Sequence, residues 1–192
     1  MRLRYAALLI AATMVAGACG TAPDTAPPVS AVAEIEAEGE HNDTDVVYLQ
    51  MMVAHHRQGL EMVRLAASDA ERPEIRTLAR AVDATQSDEL TMMTGWLKAW
   101  SAPETMDHAP GAHTDHGGLP ATGPEEIAAL RTAGGAFDTT FLNLFVAHQH
   151  NAVEMAALEK RKGANPEAKA FAERVRLSRA DQIRQMLQLL NG

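Results

Sequence analysis

Between residues 42 and 68 the apolar positions recur at alternating steps of three and four. One stripe reads Tyr48, Met52, His55, Gly59, Met62, Ala66, and its neighbour Leu49, Val53, His56, Leu60, Val63, Ala67. That spacing keeps side chains on one face of a 3.6-residue helix, so it predicts a helix from Asn42 or Asp43 to Ser68 with two adjoining core-facing stripes. The pattern returns in Phe141, Phe145, His148, Ala152, Met155 and in Leu142, Val146, Gln149, Val153, Ala156, which predicts a helix over 136–162. Pro73 and Pro166 stand where a first-turn proline belongs, opening helices over 73–100 and 166–190. Gly163, Ala164 and Asn165 supply a helix-ending glycine and then an N-cap. Residues 124–133 predict a short extra helix, stopped by Gly134 and Gly135.

The two long patterns are copies. Shifted by 93 positions, residues 45–97 meet 15 identities, where chance at this composition gives roughly three or four. Asp45 meets Asp138, His55 meets His148, Met62 meets Met155, Pro73 meets Pro166 and Met93 meets Met186. The repeating unit is therefore a helical hairpin. Two such hairpins (43–100 and 136–191), joined by a linker over 101–123, predict an all-α, up-down-up-down four-helix bundle. Composition agrees: 46% of residues are hydrophobic but only 4% aromatic, with many Ala, Leu and Met, which favours helix over sheet. The net charge of −8 excludes a basic nucleic-acid-binding face.

Histidines interrupt otherwise apolar stripes. His55, His56 and His148 fall on core-facing positions, while His150 shares a face with Asn143 and Glu154 and is expected in solvent. Folding each hairpin about its turn brings His55 and His56 level with Gln86 and Glu89, and His148 and Gln149 level with Arg179 and Gln182. Each half thus carries a polar layer at one depth, with methionines Met52, Met62, Met93, Met155 and Met186 around it. Two explanations stand side by side. Buried polar groups need partners, so the layer can be a hydrogen-bond network that fixes helix register. Imidazole and thioether together also suit copper, particularly Cu(I). The Glu-x-x-His pairs of di-iron bundles are absent from both histidine helices.

The linker holds a second cluster. Met106, His108, His113 and His116 fall within eleven residues, among glycines and prolines. This is a metal-binding composition as well as an ordinary solvated loop.

The N-terminus reads as a targeting segment. Arg2 and Arg4 precede an apolar run that ends at Cys19, the only cysteine, directly after Ala16-Gly17-Ala18. Residues 1–18 are expected to be a signal peptide and Cys19 a lipidation site, with 19–41 a Pro/Ala/acid-rich flexible tether and 42–192 the folded domain. The run is short for a membrane span, so the membrane is met through the anchor alone.

DVVYLQMMVAHHRQGLEM and FDTTFLNLFVAHQHNAVEM, with Gln86, Glu89, Met93, Trp96 and Leu97 on the second helix and the Met/His linker, resemble the paired repeats of the domain of unknown function 305 family. The resemblance spans about 43–191. It implies a secreted or lipid-anchored bacterial protein with a ferritin-like bundle, and a link to copper in some members. The matching positions are Met52, His55, His56, Met62, Met93, His148 and Met155. The second copy departs from the family pattern: His148 is followed by Gln149 rather than histidine, and Phe145 stands where methionine is common.

The leading functional expectation is a non-enzymatic, envelope-anchored copper-binding protein acting through His and Met ligands, with the metal ion as its partner. The alternative is a structural or interaction bundle whose core layer holds no metal. A haem-binding or oxidoreductase bundle is a third reading, without an attachment motif to carry it.

Overall fold

The computed structural model describes residues 39–106 and 122–191. The signal segment, Cys19, most of the tether, and the linker histidines His108, His113 and His116 lie outside these residues. Five α-helices make up the described chain: α1 (Asp43–Asp69), α2 (Pro73–Ala99), α3 (Pro124–Arg131), α4 (Phe137–Lys162) and α5 (Pro166–Asn191), with a 3-10 turn at Gly134–Ala136 before α4. The helix limits follow local chemistry. Asn42 caps α1 by accepting from Thr44 and Asp45, and Asp45 answers the Asn42 N–H in a capping box. Pro73, Pro124 and Pro166 each open a helix. Asn165 caps α5 by accepting from Glu167 and Ala168.

α1 pairs with α2 and α4 with α5 as antiparallel hairpins, and the hairpins meet chiefly through α1 and α4. The ends fix the directions. Asp45, at the start of α1, accepts from the N–H groups of Ala164 and Asn165, beyond the end of α4. Asp138, at the start of α4, accepts from Glu71 and Arg72, beyond the end of α1. Arg72, before α2, donates to the Leu189 carbonyl near the end of α5. α1 and α4 are therefore antiparallel, and the order is up-down-down-up. This corrects the up-down-up-down topology expected from the sequence. That expectation treated the linker as a local connection. The chain between α2 and α4, linker and α3 together, instead runs between opposite ends of a bundle whose 27-residue helices α1 and α2 are each about 40 Å long. A chain of 101–123 is long enough for that return.

The core is two apolar clusters with a polar layer between. One holds Leu60, Met62, Val63, Ile75, Leu78, Phe141, Leu142, Phe145 and Met186. The other holds Tyr48, Leu49, Met52, Val53, Met93, Trp96, Leu97, Met155, Phe171 and Val175. Nearly all are fully buried, and each large side chain so placed contributes about 1.5–3 kcal/mol. Among the described residues, no helix is long and apolar enough to cross a membrane.

Candidate metal and polar centre

His55, His56, Gln86, His148, Gln149 and Arg179 are all buried at mid-height. They sit there because the helical stripes place them on the inward faces of α1, α2, α4 and α5. Glu89 and Gln182 close the layer from its edges. His150 is exposed, as expected.

His56 is fully engaged. Its Nδ1 donates to the Met52 carbonyl at 2.9 Å, and its Nε2 lies 2.8 Å from Glu89 Oε2. Arg179, also buried, reaches across from α5 to the same Glu89 oxygen and to within 3.2 Å of His56 Nε2. Burial alone would raise the Glu89 carboxyl. The hydrogen bond with His56 and the Arg179 charge outweigh it and hold the group below its ordinary value. The equivalent contact in the second half is uncharged: Gln149 donates to Gln182. His56–Glu89 and Gln149–Gln182 join residues that each hairpin brings level, while Arg179 crosses to the other hairpin rather than staying beside His148.

His55 and His148 behave differently. Their rings stack with centroids 3.6 Å apart and planes 14° from parallel. His55 Nε2 donates to the His148 carbonyl at 2.9 Å, and His148 Nδ1 lies 3.0 Å from Thr122 Oγ1. His55 Nδ1 and His148 Nε2 have no partner and are shut from solvent. Burial dominates both titrations, pushing His55 down to about 3 and His148 well below the ordinary histidine value. Both are neutral imidazoles at pH 7, each with one nitrogen uncommitted. Gln86 is likewise unpartnered at both ends of its amide. Gly59 makes the crowding possible: a Cβ there would stand 2.6 Å from Gln86 Oε1 and 2.8 Å from His148 Nε2.

The five core methionines do not converge on one point. Met52, Met93 and Met155 pack in the cluster on the Asp45 side of the layer, Met62 and Met186 in the cluster on the Asp138 side. Phe145 occupies the position related to Met52 by 93 residues, so the second flank is poorer in sulfur. Met106 is half-buried at the edge of the described linker. Among the described residues no three His, Cys, Asp or Glu side chains group as a metal cage.

Two features escaped the sequence. Thr122 enters the layer from the residue before the Gly123 cap of α3, and nothing in the chain around it marks that role. Where the start of α1 meets the end of α4, Glu159 is fully buried beside Asp45, with Gly163 leaving the space; a Cβ on Gly163 would sit 2.1 Å from Glu159 Oε1 and 2.7 Å from Asp45 Oδ1. Burial, then the neighbouring Asp45, raises Glu159 to about 9, so it is a neutral acid at pH 7. Its proton turns one of its two otherwise unpartnered carboxyl oxygens into a donor toward Asp45.

The model of the family described as Domain of unknown function (DUF305) matches residues 45–190, and the chain belongs to that family. Solved structures agree in fold. A family member from Streptomyces coelicolor superposes with a TM-score of 0.71 at 27% identity, over 77% of this chain and 92% of that one. CopM in its Cu(I)-bound form gives 0.63 at 27% identity, over 77% and 95%. CopM has also been solved in Cu(II)-bound, silver-bound and apo forms. No curated protein sequence matches the chain.

Proposed function

We propose that this protein binds copper, as Cu(I), through the core histidines and methionines, and that it holds or carries the ion rather than catalysing a reaction. The observation that carries the reading is the pair of unpartnered ring nitrogens, His55 Nδ1 and His148 Nε2. A buried polar atom left without a partner is costly, and a neutral imidazole lone pair beside thioether sulfur is a donor set suited to a soft cation. Burial keeps both rings neutral, which removes proton competition near pH 7. The relationship to CopM, solved with copper and with silver, supports the same class of ion.

His55 with Met52, Met93 and Met155 is the richer flank; His148 with Met62 and Met186 is the poorer one. His56, Glu89, Arg179, Gln149 and Gln182 are the supporting network, because they bond to one another, and both ring nitrogens of His56 are engaged. The linker residues Met106, His108, His113 and His116 form a separate, weaker site. The chain is exported, and lipidation at Cys19 holds it at the cell envelope through the tether.

Competition titration with Cu(I), alongside elemental analysis after Zn(II) loading, tests the assignment. Wild type should retain Cu(I) in preference to Zn(II). His55→Gln should lose most of the tight binding, and added Cu(I) should raise the melting temperature of wild type but not of the mutant. Unchanged affinity in the His55→Gln, His148→Gln double mutant removes the core from the function and leaves the linker. Mass spectrometry of native protein settles the anchor: an unmodified Cys19 means secretion without a tether.

A further inference from the structure

The two stacked histidines are held by different partners, and the difference fixes where each ring carries its hydrogen. A buried neutral imidazole has one N–H and one lone pair, and an orphaned buried N–H is rarer in native proteins than an orphaned acceptor. In His55 only Nε2 has a partner, the His148 carbonyl, which can only accept. His55 is therefore the Nε2–H tautomer with its lone pair at Nδ1. In His148 only Nδ1 has a partner, the Thr122 hydroxyl, and Nε2 has none. A hydroxyl can accept as readily as donate. The N–H of His148 then belongs on Nδ1, where an acceptor waits, and Nε2 keeps the lone pair, facing Gly59.

We propose that Thr122 is a positioning residue for the core site: its Oγ1 locks His148 in the Nδ1–H tautomer and so presents Nε2 as a donor to the bundle interior. This rests on the copper reading for its purpose, but not for its geometry. Thr122 is 7% exposed and belongs to neither hairpin. It is delivered by the last described linker residues, immediately before Gly123 and Pro124 open α3. α3 is itself pinned to the bundle, since Arg131 pairs with Glu61 on α1 at 2.7 Å. The linker's exit is thereby part of the site, and a residue that ligates nothing sets the chemistry of one that does.

Two-dimensional 1H–15N NMR of the metal-free full chain reads the tautomers directly, at one pH where both rings are neutral. Wild type should show His148 protonated at Nδ1 and His55 at Nε2, opposite tautomers in adjacent rings. Thr122→Val keeps the shape and removes the acceptor, so His148 should move to the Nε2–H form or to a mixture. Thr122→Ser should restore the wild-type signature. With Cu(I), the valine variant should bind the His148 flank about tenfold more weakly and the serine variant like wild type. A wild-type His148 protonated at Nε2, or a valine variant with unchanged tautomer, overturns the proposal. A wild type with the expected tautomers that takes up no Cu(I) keeps Thr122's role and defeats the copper reading instead.

Discussion

His55 donates from Nε2 to the main-chain oxygen of His148, the residue 93 positions further on, and the two rings lie face to face at 3.6 Å. Neither ring has a carboxylate on it, so burial outweighs the hydrogen bond that favours the charged form. Their folded pKa values lie below the ordinary value near 6.5 because burial disfavours the imidazolium. For His55 the unfolded chain therefore binds more protons than the folded one between about 3 and 6.5, and His148 shifts the balance the same way. Stability is full above 6.5 and is lost as pH falls. Chemical denaturation of the metal-free protein should show a drop of about 2 kcal/mol from His55 between pH 7 and pH 5, with His148 acting in the same direction. In the His55→Gln, His148→Gln variant this acid limb should flatten. An unchanged acid limb in that variant means other groups cause it.

Glu159 should produce a limb of the opposite sign. Its folded pKa, about 9, lies above the value of 4.5 for a free glutamate, so the folded state holds a proton that the unfolded state has released. That contribution is complete below 4.5 and is lost as pH rises toward 9. Glu159→Gln keeps the neutral shape and removes the titration. The variant should gain on the order of 2 kcal/mol relative to wild type between pH 6 and pH 9; Asp45 is held below its usual value in part by the same proton, which limits the gain. Denaturation series at pH 6 and pH 9 check this, and parallel curves for the two proteins would refute it.

Two glycines of the bundle should respond to alanine with opposite signs. Gly95 on α2 is exposed, and a Cβ there meets nothing within 4 Å, so Gly95→Ala should stabilise by about 0.5–1 kcal/mol through helix propensity alone. Gly59 gains the same propensity, but its new methyl would press on Gln86 Oε1 and His148 Nε2 in a closed core. Overpacking of that kind costs about 1–3 kcal/mol, so Gly59→Ala should be net destabilising. Urea midpoints at equal m decide both signs.

Asp45 and Asp138 hold equivalent turns with unequal investment. Asp45 is fully buried and accepts from Asn42, Ala164 and Asn165; Asp138 is half-buried and accepts from Glu71 and Arg72. Asp45→Ala strands buried N–H groups and should cost about 2–4 kcal/mol, Asp138→Ala about 1 kcal/mol. Equal losses in thermal denaturation would show that burial at Asp45 adds nothing.

The helices and the polar layer were legible because both rest on local rules. The 3.6-residue stripes, Asn42, Pro73 and Pro166 bring each long helix within a residue or two of its observed limits. Hairpin geometry alone pairs His56 with Glu89 and Gln149 with Gln182. What was not legible depends on how the hairpins meet. The direction of α4 against α1 is decided by Asp45 and Asp138 reaching the other hairpin's turn, contacts with no sequence signature. Thr122 and Glu159 belong to the same class. A threonine in a linker and a glutamate on an amphipathic helix look ordinary until tertiary packing buries them.

Arg179 and Glu89 supply the sharpest test of what the supporting network does. The guanidinium is wholly buried, and the carboxylate is 14% exposed and also bonded to His56. Desolvating two charges is expensive, and a buried pair repays it only while both partners stay. Arg179→Met removes the cation, leaves Glu89 with His56 but without its counter-charge, and should cost about 3–5 kcal/mol. Glu89→Leu alone strands the cation and should cost a similar amount. The double variant Arg179→Met, Glu89→Leu leaves no unpaired charge and should recover most of the loss, giving a coupling energy of about 2 kcal/mol or more in a double-mutant cycle. The double variant also leaves His56 with Nδ1 on the Met52 carbonyl and no carboxylate at Nε2. If the network only supports the fold, Cu(I) affinity in the double variant should stay within about threefold of wild type, since His55 and His148 are untouched. Additive losses in the cycle would show that the two charges do not stabilise one another. A large fall in affinity with stability restored would move His56 and Glu89 from the supporting network into the metal site.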